Sequence, residues 1–199
     1  ISYSPAHVGA FLKSSPEVDF PDLQFVFTPA SYTEGMIGKL QEFPGITCGV
    51  WQSRPLSRGY VRASTNKISD PPLIQPNYLK EKYDQDILIK GVKMCRLLLA
   101  TSKMKKISVY ETLPGVDIKK DEQILSFIRN NGATVYHAIG SCRMGIDENA
   151  VVTPSLKIKG LRNIRIADAS IMPTMPSGNT NAATLMIAEK ASDIIKKDL

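Results

Sequence analysis

The chain has 199 residues, 43% of them apolar and 22% charged, with a formal charge of +6 and no cysteine pair at Cys-x-x-Cys spacing. This is ordinary globular composition, long enough for one or two domains with a real core. It excludes a membrane-spanning helix, which needs about 18 consecutive apolar residues. It also gives no support to a zinc site or disulfide framework, since Cys48, Cys95 and Cys142 are odd in number and unsuitably spaced. The basic excess lies in Lys80 to Lys106, in Lys119–Lys120 and in Lys196–Lys197, interleaved with apolar residues at helical steps. Solvated helix faces explain that pattern. A nucleic-acid partner would want a basic stripe interleaved with aromatics, and none is present. The start has neither the charged nor the apolar region of a signal peptide, and it lacks an initiator Met. The expectation is a cytoplasmic chain, with membrane association left open, that is a fragment or a processed product.

Taken in chain order, residues 1–20 read as loop and short helix, and Leu23 to Thr28 as a strand rich in β-formers. Residues 30–45, with Gly35, Gly38, Pro44 and Gly45, predict a mobile loop. Ile46 to Gln52 and Tyr60 to Ser64 read as two strands paired antiparallel across the Arg54–Gly59 connection. Asp70 to Pro76 holds three prolines and cannot be helix interior.

From Asp84 the period changes. Ile87, Leu88, Val92, Cys95, Leu98 and Leu99 recur at three- and four-residue steps, the pattern of a long amphipathic helix. Ile107 to Tyr110 reads as a short strand. Asp121 to Asn130 reads as a helix with Asp121 as N-cap and Ile124, Leu125 and Ile128 inward. Asn163 to Ala167 alternates like a strand, and the last 17 or so residues read as helix. Strands interrupted by helices without strict alternation predict an α+β fold: a mostly antiparallel mixed sheet of about six strands with helices packed on one face.

Three C-terminal segments carry the chemistry. Tyr136-His137-Ala138 runs into a loop bounded by Gly140 and Gly145. Asn163-Ile164-Arg165-Ile166-Ala167 ends in the turn Asp168-Ala169-Ser170. Ser177-Gly178-Asn179-Thr180-Asn181 leads directly into a run of good helix formers. Asn or Thr can cap such a helix, whose N-terminal N–H groups and partial positive charge suit an electron-rich group. Read singly, the helix start is also explained as a plain cap, and His137 as a structural histidine. Together, a loop histidine, a strand-end aspartate and an Asn-rich helix start are the parts of a cofactor pocket.

These three segments resemble the C-terminal signatures of the glucose–methanol–choline (GMC) oxidoreductases, with the likeness nearest to choline-dehydrogenase-like members. Pro21-Asp22-Leu23-Gln24-Phe25, Ser57-Arg58-Gly59-Tyr60, Asp70-Pro71-Pro72 and Pro76-Asn77-Tyr78-Leu79 extend it over nearly the whole chain. The resemblance implies an FAD-dependent oxidation of a small-molecule alcohol, with hydride passing to flavin N5. By motif position His137 matches the active-site histidine and base. Asn179 matches the second active-site position, His or Asn in the family. Asp168 and Ala169 match the turn beside the FAD phosphates and ribityl chain, and Asn179, Thr180 and Asn181 match the helix start under the flavin. Ser141 departs from the usual Thr, a small change. Asn rather than His at 179 removes a proton carrier.

The family's Gly-x-Gly-x-x-Gly dinucleotide unit occurs nowhere in these residues. The resemblance therefore implies a C-terminal portion whose partner is the N-terminal FAD-binding domain of the same protein, and which by itself neither retains FAD nor turns over. Residues 1–125 are expected to form the substrate side, and 126–199 the active-site loop and the return to the FAD-binding domain. A homodimer is a further possibility. Trp51 and Tyr60 could offer faces to a quaternary ammonium substrate. The rival reading is a non-catalytic interaction module that kept the fold without flavin. It is weakened by the retention of His137, Asp168, Asn179 and Asn181.

Overall fold

A computed structural model describes residues 6, 8–33, 39–108 and 110–198. The described residues form an α+β fold with five strands and three α-helices, gathered in two compact units. One unit comprises residues 1–57 and 77–134, the other residues 58–76 and 135–199.

The first unit is built on a three-stranded antiparallel sheet in the order β1 (Val8–Leu12), β2 (Leu23–Thr28), β3 (Thr47–Gln52). Leu23 and Phe25 alternate along β2 and are fully buried, and Gln24 between them is buried as well, so the start of this central strand is covered on both faces. They pack with Ile87 and Cys95 of α1 (Lys82–Leu99), flanked by Ala10, Leu12, Phe27, Cys48, Val50, Met94 and Leu98. α2 (Asp121–Asn131) packs on α1 and buries Ile124 completely. At the start of α2 the Gln123 side chain accepts from the Lys120 N–H, while Asp121 lies inside the helix and pairs with Lys93 at 2.5 Å. Lys120, not Asp121, is thus the N-cap residue.

Several sequence expectations are corrected. The stretch 1–20 contains β1, a strand whose Gly9 and Ala10 gave little β signal. β3 pairs with β2, from Leu23↔Gln52 to Thr28↔Thr47, and not with the strand that follows it. β4 (Tyr60–Arg62) pairs instead with β5 (Leu73–Gln75), which occupies the three proline-free residues between Pro72 and Pro76. Ile107, Ser108 and Tyr110 are not strand; they follow a 3-10 turn at Met104–Lys106. Asn163–Ala167 contributes a single bridge, Lys157↔Arg165, because loop 155–165 is held by turns and not by a ladder. Within the 30–45 loop, residues 34–38 lie outside the described residues, and Tyr32 bridges Leu40. Among the described residues no helix is long and apolar enough to cross a membrane.

Two contacts fix α1 in the first unit. Arg96 grips Glu111 through Nε and Nη2 at 2.7–3.1 Å and also donates to the Ile118 and Gly115 carbonyls at 2.7 and 3.0 Å. This fork satisfies a loop that lacks its own ladder. At the other end, Asp84 is 2% exposed and accepts from the Leu56 and Ser57 N–H groups at 2.8 and 2.7 Å. Burial alone would raise its carboxyl pKa. The Leu56 and Ser57 N–H groups, the Ser57 hydroxyl and the Gln52 amide outweigh burial and hold it below the usual carboxylate value.

A depressed carboxylate stabilises the fold above its unfolded pKa, and the contribution fades as pH falls through the folded one. Asp84→Asn, with one acceptor oxygen for these four donors, is expected to cost about 2–3 kcal/mol at pH 7. Urea unfolding should show the gap between parent and variant closing below about pH 4.

α1 lies close to the sheet at Gly91, where a Cβ would meet Val50 Cγ2 at 2.9 Å and Leu23 Cδ2 at 3.3 Å. Alanine gains up to about 1 kcal/mol of helix propensity, but overpacking against a β-branched neighbour costs about 1–3 kcal/mol. Gly91→Ala should therefore destabilise the parent and stabilise a Val50→Ala background. A double-mutant cycle in thermal or urea unfolding checks the change of sign.

Candidate active site

The site lies in the second unit, where main-chain bonds tie two segments distant in sequence and side chains bring a third, the start of α3, to them. The loop after His137 runs beside the turn at 168–172: Cys142 N donates to Ser170 O at 3.0 Å and Met144 N to Ile171 O at 2.8 Å. Gly140 makes the corner. Its φ is +79°, and a Cβ there would meet Met172 O at 3.2 Å. Below the turn sits a small core of Val152, Leu156, Ile171 and Ala191, with Met144, Ile158, Ile166, Ala167, Ile187 and Ile194 packed on it. Ala191, Ile187 and Ile194 belong to α3 (Asn181–Lys197), so this core fixes α3 against the turn. The far end of α3 is held by Asp198, which pairs with Lys157 at 2.8 Å and with Arg165.

Within the loop, Arg143 donates to both carboxylate oxygens of Asp147 at 2.6 and 2.9 Å and holds its carboxyl down at about 2. Lys159 Nζ bonds the Asp147 carbonyl, so the corner is pinned from two sides.

His137 is half-buried and follows Tyr136, an exposed residue with φ +61°. A left-handed non-glycine residue is uncommon and is held only where its surroundings demand it. The imidazole reaches the start of α3 across 42 residues: Nε2 lies 3.1 Å from Asn179 Nδ2, and Nδ1 lies 3.1 Å from Thr180 Oγ1. The folded chain thus brings His137, Asn179 and Thr180 into direct contact. Asn181 is the first residue of α3 and is exposed. Thr180 turns none of its side chain onto the helix N–H groups, so the cap expected of it is not made. Its hydroxyl faces His137 instead.

Asp168 and Ala169 stand apart from this contact. Asp168 is exposed, and its Oδ1 accepts from Ser170 N at 2.8 Å, capping a 3-10 turn at Ala169–Ile171. The carboxylate thus already has a local task in orienting the turn that anchors the His137 loop. Trp51 donates its indole N–H to Gln24 Oε1 at 3.0 Å, and the Tyr60 ring is covered by the Arg62 guanidinium at 4.4 Å. The Arg62 guanidinium thus covers one face of the Tyr60 ring, which is itself exposed.

Among the described residues no cluster of His, Cys, Asp or Glu could hold a metal ion. The three cysteines are free thiols; Cys95 is buried, while Cys48 and Cys142 are half-buried. The pairing of Thr180 with His137 was not legible in the sequence, where Thr180 stood only with the helix start. A hydroxyl next to Asn179 was the one available signal.

The model of the GMC oxidoreductase family matches residues 55–188. An alcohol dehydrogenase [acceptor] of Pseudomonas putida is 44% identical over 190 residues, covering 96% of this chain and 34% of that protein. The mitochondrial choline dehydrogenase of Homo sapiens is 39% identical over 191 residues, covering 94% of this chain and 32% of that protein. The crystal structure of pyridoxine 4-oxidase from Mesorbium loti superposes with a TM-score of 0.86 at 27% identity, covering 95% of this chain and 37% of the other. The chain thus spans about a third of the length of the relatives it matches.

The corner at Gly140 yields a direct test. Gly140→Ala adds a Cβ in left-handed backbone and against a carbonyl, and is expected to lower the unfolding free energy by about 1–2 kcal/mol. Urea denaturation of parent and variant measures it.

Proposed function

Since the chain belongs to the GMC oxidoreductase family, we propose that it contributes the catalytic base to an FAD-dependent oxidation of an alcohol, acting on a CH–OH donor. The observation that carries this reading is the 3.1 Å contact between His137 Nε2 and the Asn179 amide. Oxidising an alcohol to a carbonyl requires the loss of a hydroxyl proton and of a hydride from the same carbon. An imidazole nitrogen is suited to accept the proton, and a carboxamide beside it can donate to the alcohol oxygen and orient it. The substrate oxygen would sit between the two groups, donating to His137 and accepting from Asn179.

The start of α3 fits a flavin. Thr180 caps none of the first-turn N–H groups, Asn181 and Ala182 are exposed beside Asn179, and a helix start carries partial positive charge. Asn179, Thr180 and Asn181 would line the flavin from that side, with Asp168 and Ala169 nearer its phosphates. FAD, when bound, supplies the acceptor for the hydride. The first turns of α3 also expose Leu185 and Met186, 61% and 60% accessible, an apolar surface suited to the FAD-binding part of the same protein. The proposed division of labour puts residues 1–125 on the substrate side and 126–199 on the flavin side. The 199 residues taken alone are proposed neither to retain FAD nor to turn over, because no Gly-x-Gly-x-x-Gly unit occurs in them. The substrate reading is the alcohol class.

The test uses the flavin-loaded enzyme and the anaerobic bleaching of its flavin band by alcohol. His137→Ala is expected to slow bleaching by about 10²–10⁴-fold with flavin content largely kept. Asn179→Ala should act more weakly, by about tenfold to a hundredfold, the worth of one hydrogen bond to a developing charge. A His137→Ala rate equal to that of the parent refutes the assignment.

A further inference from the structure

Thr180 occupies a helix-capping position without capping. An N-cap residue ordinarily has extended backbone and turns its oxygen onto an N–H two or three residues ahead. Thr180 has φ −77° and ψ −14°, helical values, and makes no side-chain cap. It is held in place by its carbonyl, which accepts from Thr184 N at 2.9 Å and from Thr184 Oγ1 at 2.8 Å. With its backbone fixed and only 9% of its surface exposed, its hydroxyl lies 3.1 Å from His137 Nδ1.

A neutral imidazole carries one proton on one of its two nitrogens, and the partner of one nitrogen decides the state of the other. Nε2 faces the amide nitrogen of Asn179, which has hydrogens to give and no lone pair to offer. Nε2 therefore accepts, and the ring proton sits on Nδ1. Thr180 Oγ1 is the acceptor on that side. We propose that Thr180 is a positioning residue that holds His137 as the Nδ1–H tautomer, leaving the Nε2 lone pair on the Asn179 side.

This rests on the reading of His137 as the base, since only that tautomer can take an alcohol proton at Nε2. A hydroxyl suits the task because it is short and its lone pairs reach Nδ1, whereas a carboxylate there would add charge. Valine fills nearly the same volume and offers nothing to Nδ1. Serine restores the oxygen without the methyl group.

The test is read in the imidazole and does not depend on turnover. In the ¹⁵N-labelled, flavin-loaded protein, long-range ¹H–¹⁵N spectra report the tautomer of each ring, and the resonances lost in His137→Gln identify His137. At a pH where the ring is neutral, the parent is expected as Nδ1–H. Thr180→Val should raise the Nε2–H fraction severalfold, Thr180→Ser should return it, and alcohol-driven flavin bleaching should slow in proportion to the Nδ1–H fraction lost. A parent ring found as Nε2–H, or a Thr180→Val spectrum with the parent's tautomer ratio, overturns the proposal. If His137→Ala leaves bleaching intact while Thr180→Val shifts the tautomer, the assignment of the base fails and the role of Thr180 stands. If His137→Ala is inactive while Thr180→Val keeps the parent's tautomer, the base stands and the role of Thr180 fails.

Discussion

Imidazole presents its two nitrogens on opposite sides of a rigid ring, so a histidine gripped at both has the plane of its ring fixed. In this chain the two grips come from consecutive residues, Asn179 and Thr180, at 3.1 Å each. Consecutive residues at a helix start can reach both sides of a ring only if the helix arrives at a fixed angle and height. The small core under the 168–172 turn therefore bears on the chemistry. Ala191 at 2% exposure and Ile171 at 2% set α3 against the turn, and the turn carries the His137 loop through the bonds to Cys142 and Met144. Loss of packing beneath the turn would be felt as misalignment of the imidazole before it was felt as unfolding.

The same logic explains why Asp168 and Gly140 sit where they do although neither touches His137. Asp168 closes the 3-10 turn on Ser170, and Gly140 lets the loop reverse under the Met172 carbonyl. Both fix a backbone path. Arg143 and Asp147 do the equivalent work at the outer end of the loop, where a fully paired guanidinium adds no net charge near the imidazole.

The first unit is organised by a different constraint, the pairing of a buried carboxylate and a half-buried guanidinium on α1. Asp84 and Arg96 lie near opposite ends of that helix, and each binds main-chain groups of a segment without a ladder of its own: residues 56–57 in one case, 111–118 in the other. A buried charge is tolerated when it is well paired, as Asp84 is. The apolar half of the helix does the rest, with Gly91 allowing close approach to Val50.

What the sequence determined by itself was whatever depends on neighbours along the chain. The 3.6-residue recurrence of Ile87, Cys95 and Leu98 fixed α1, the β-rich run at 23–28 fixed β2, and the ordered motifs identified the family and singled out His137 and Asn179. Tertiary structure decided whatever depends on partners far away. β3 chose β2 over β4, and β5 formed between prolines, because inter-strand hydrogen bonds reward a register that no local window encodes. Gly9 and Ala10 became strand because β2 offered a free edge. The hydroxyl of Thr180 turned from its own helix to an imidazole 43 residues back. Local propensity is worth tenths of a kcal/mol per residue, and a buried hydrogen bond or a packed side chain outweighs it wherever the two disagree.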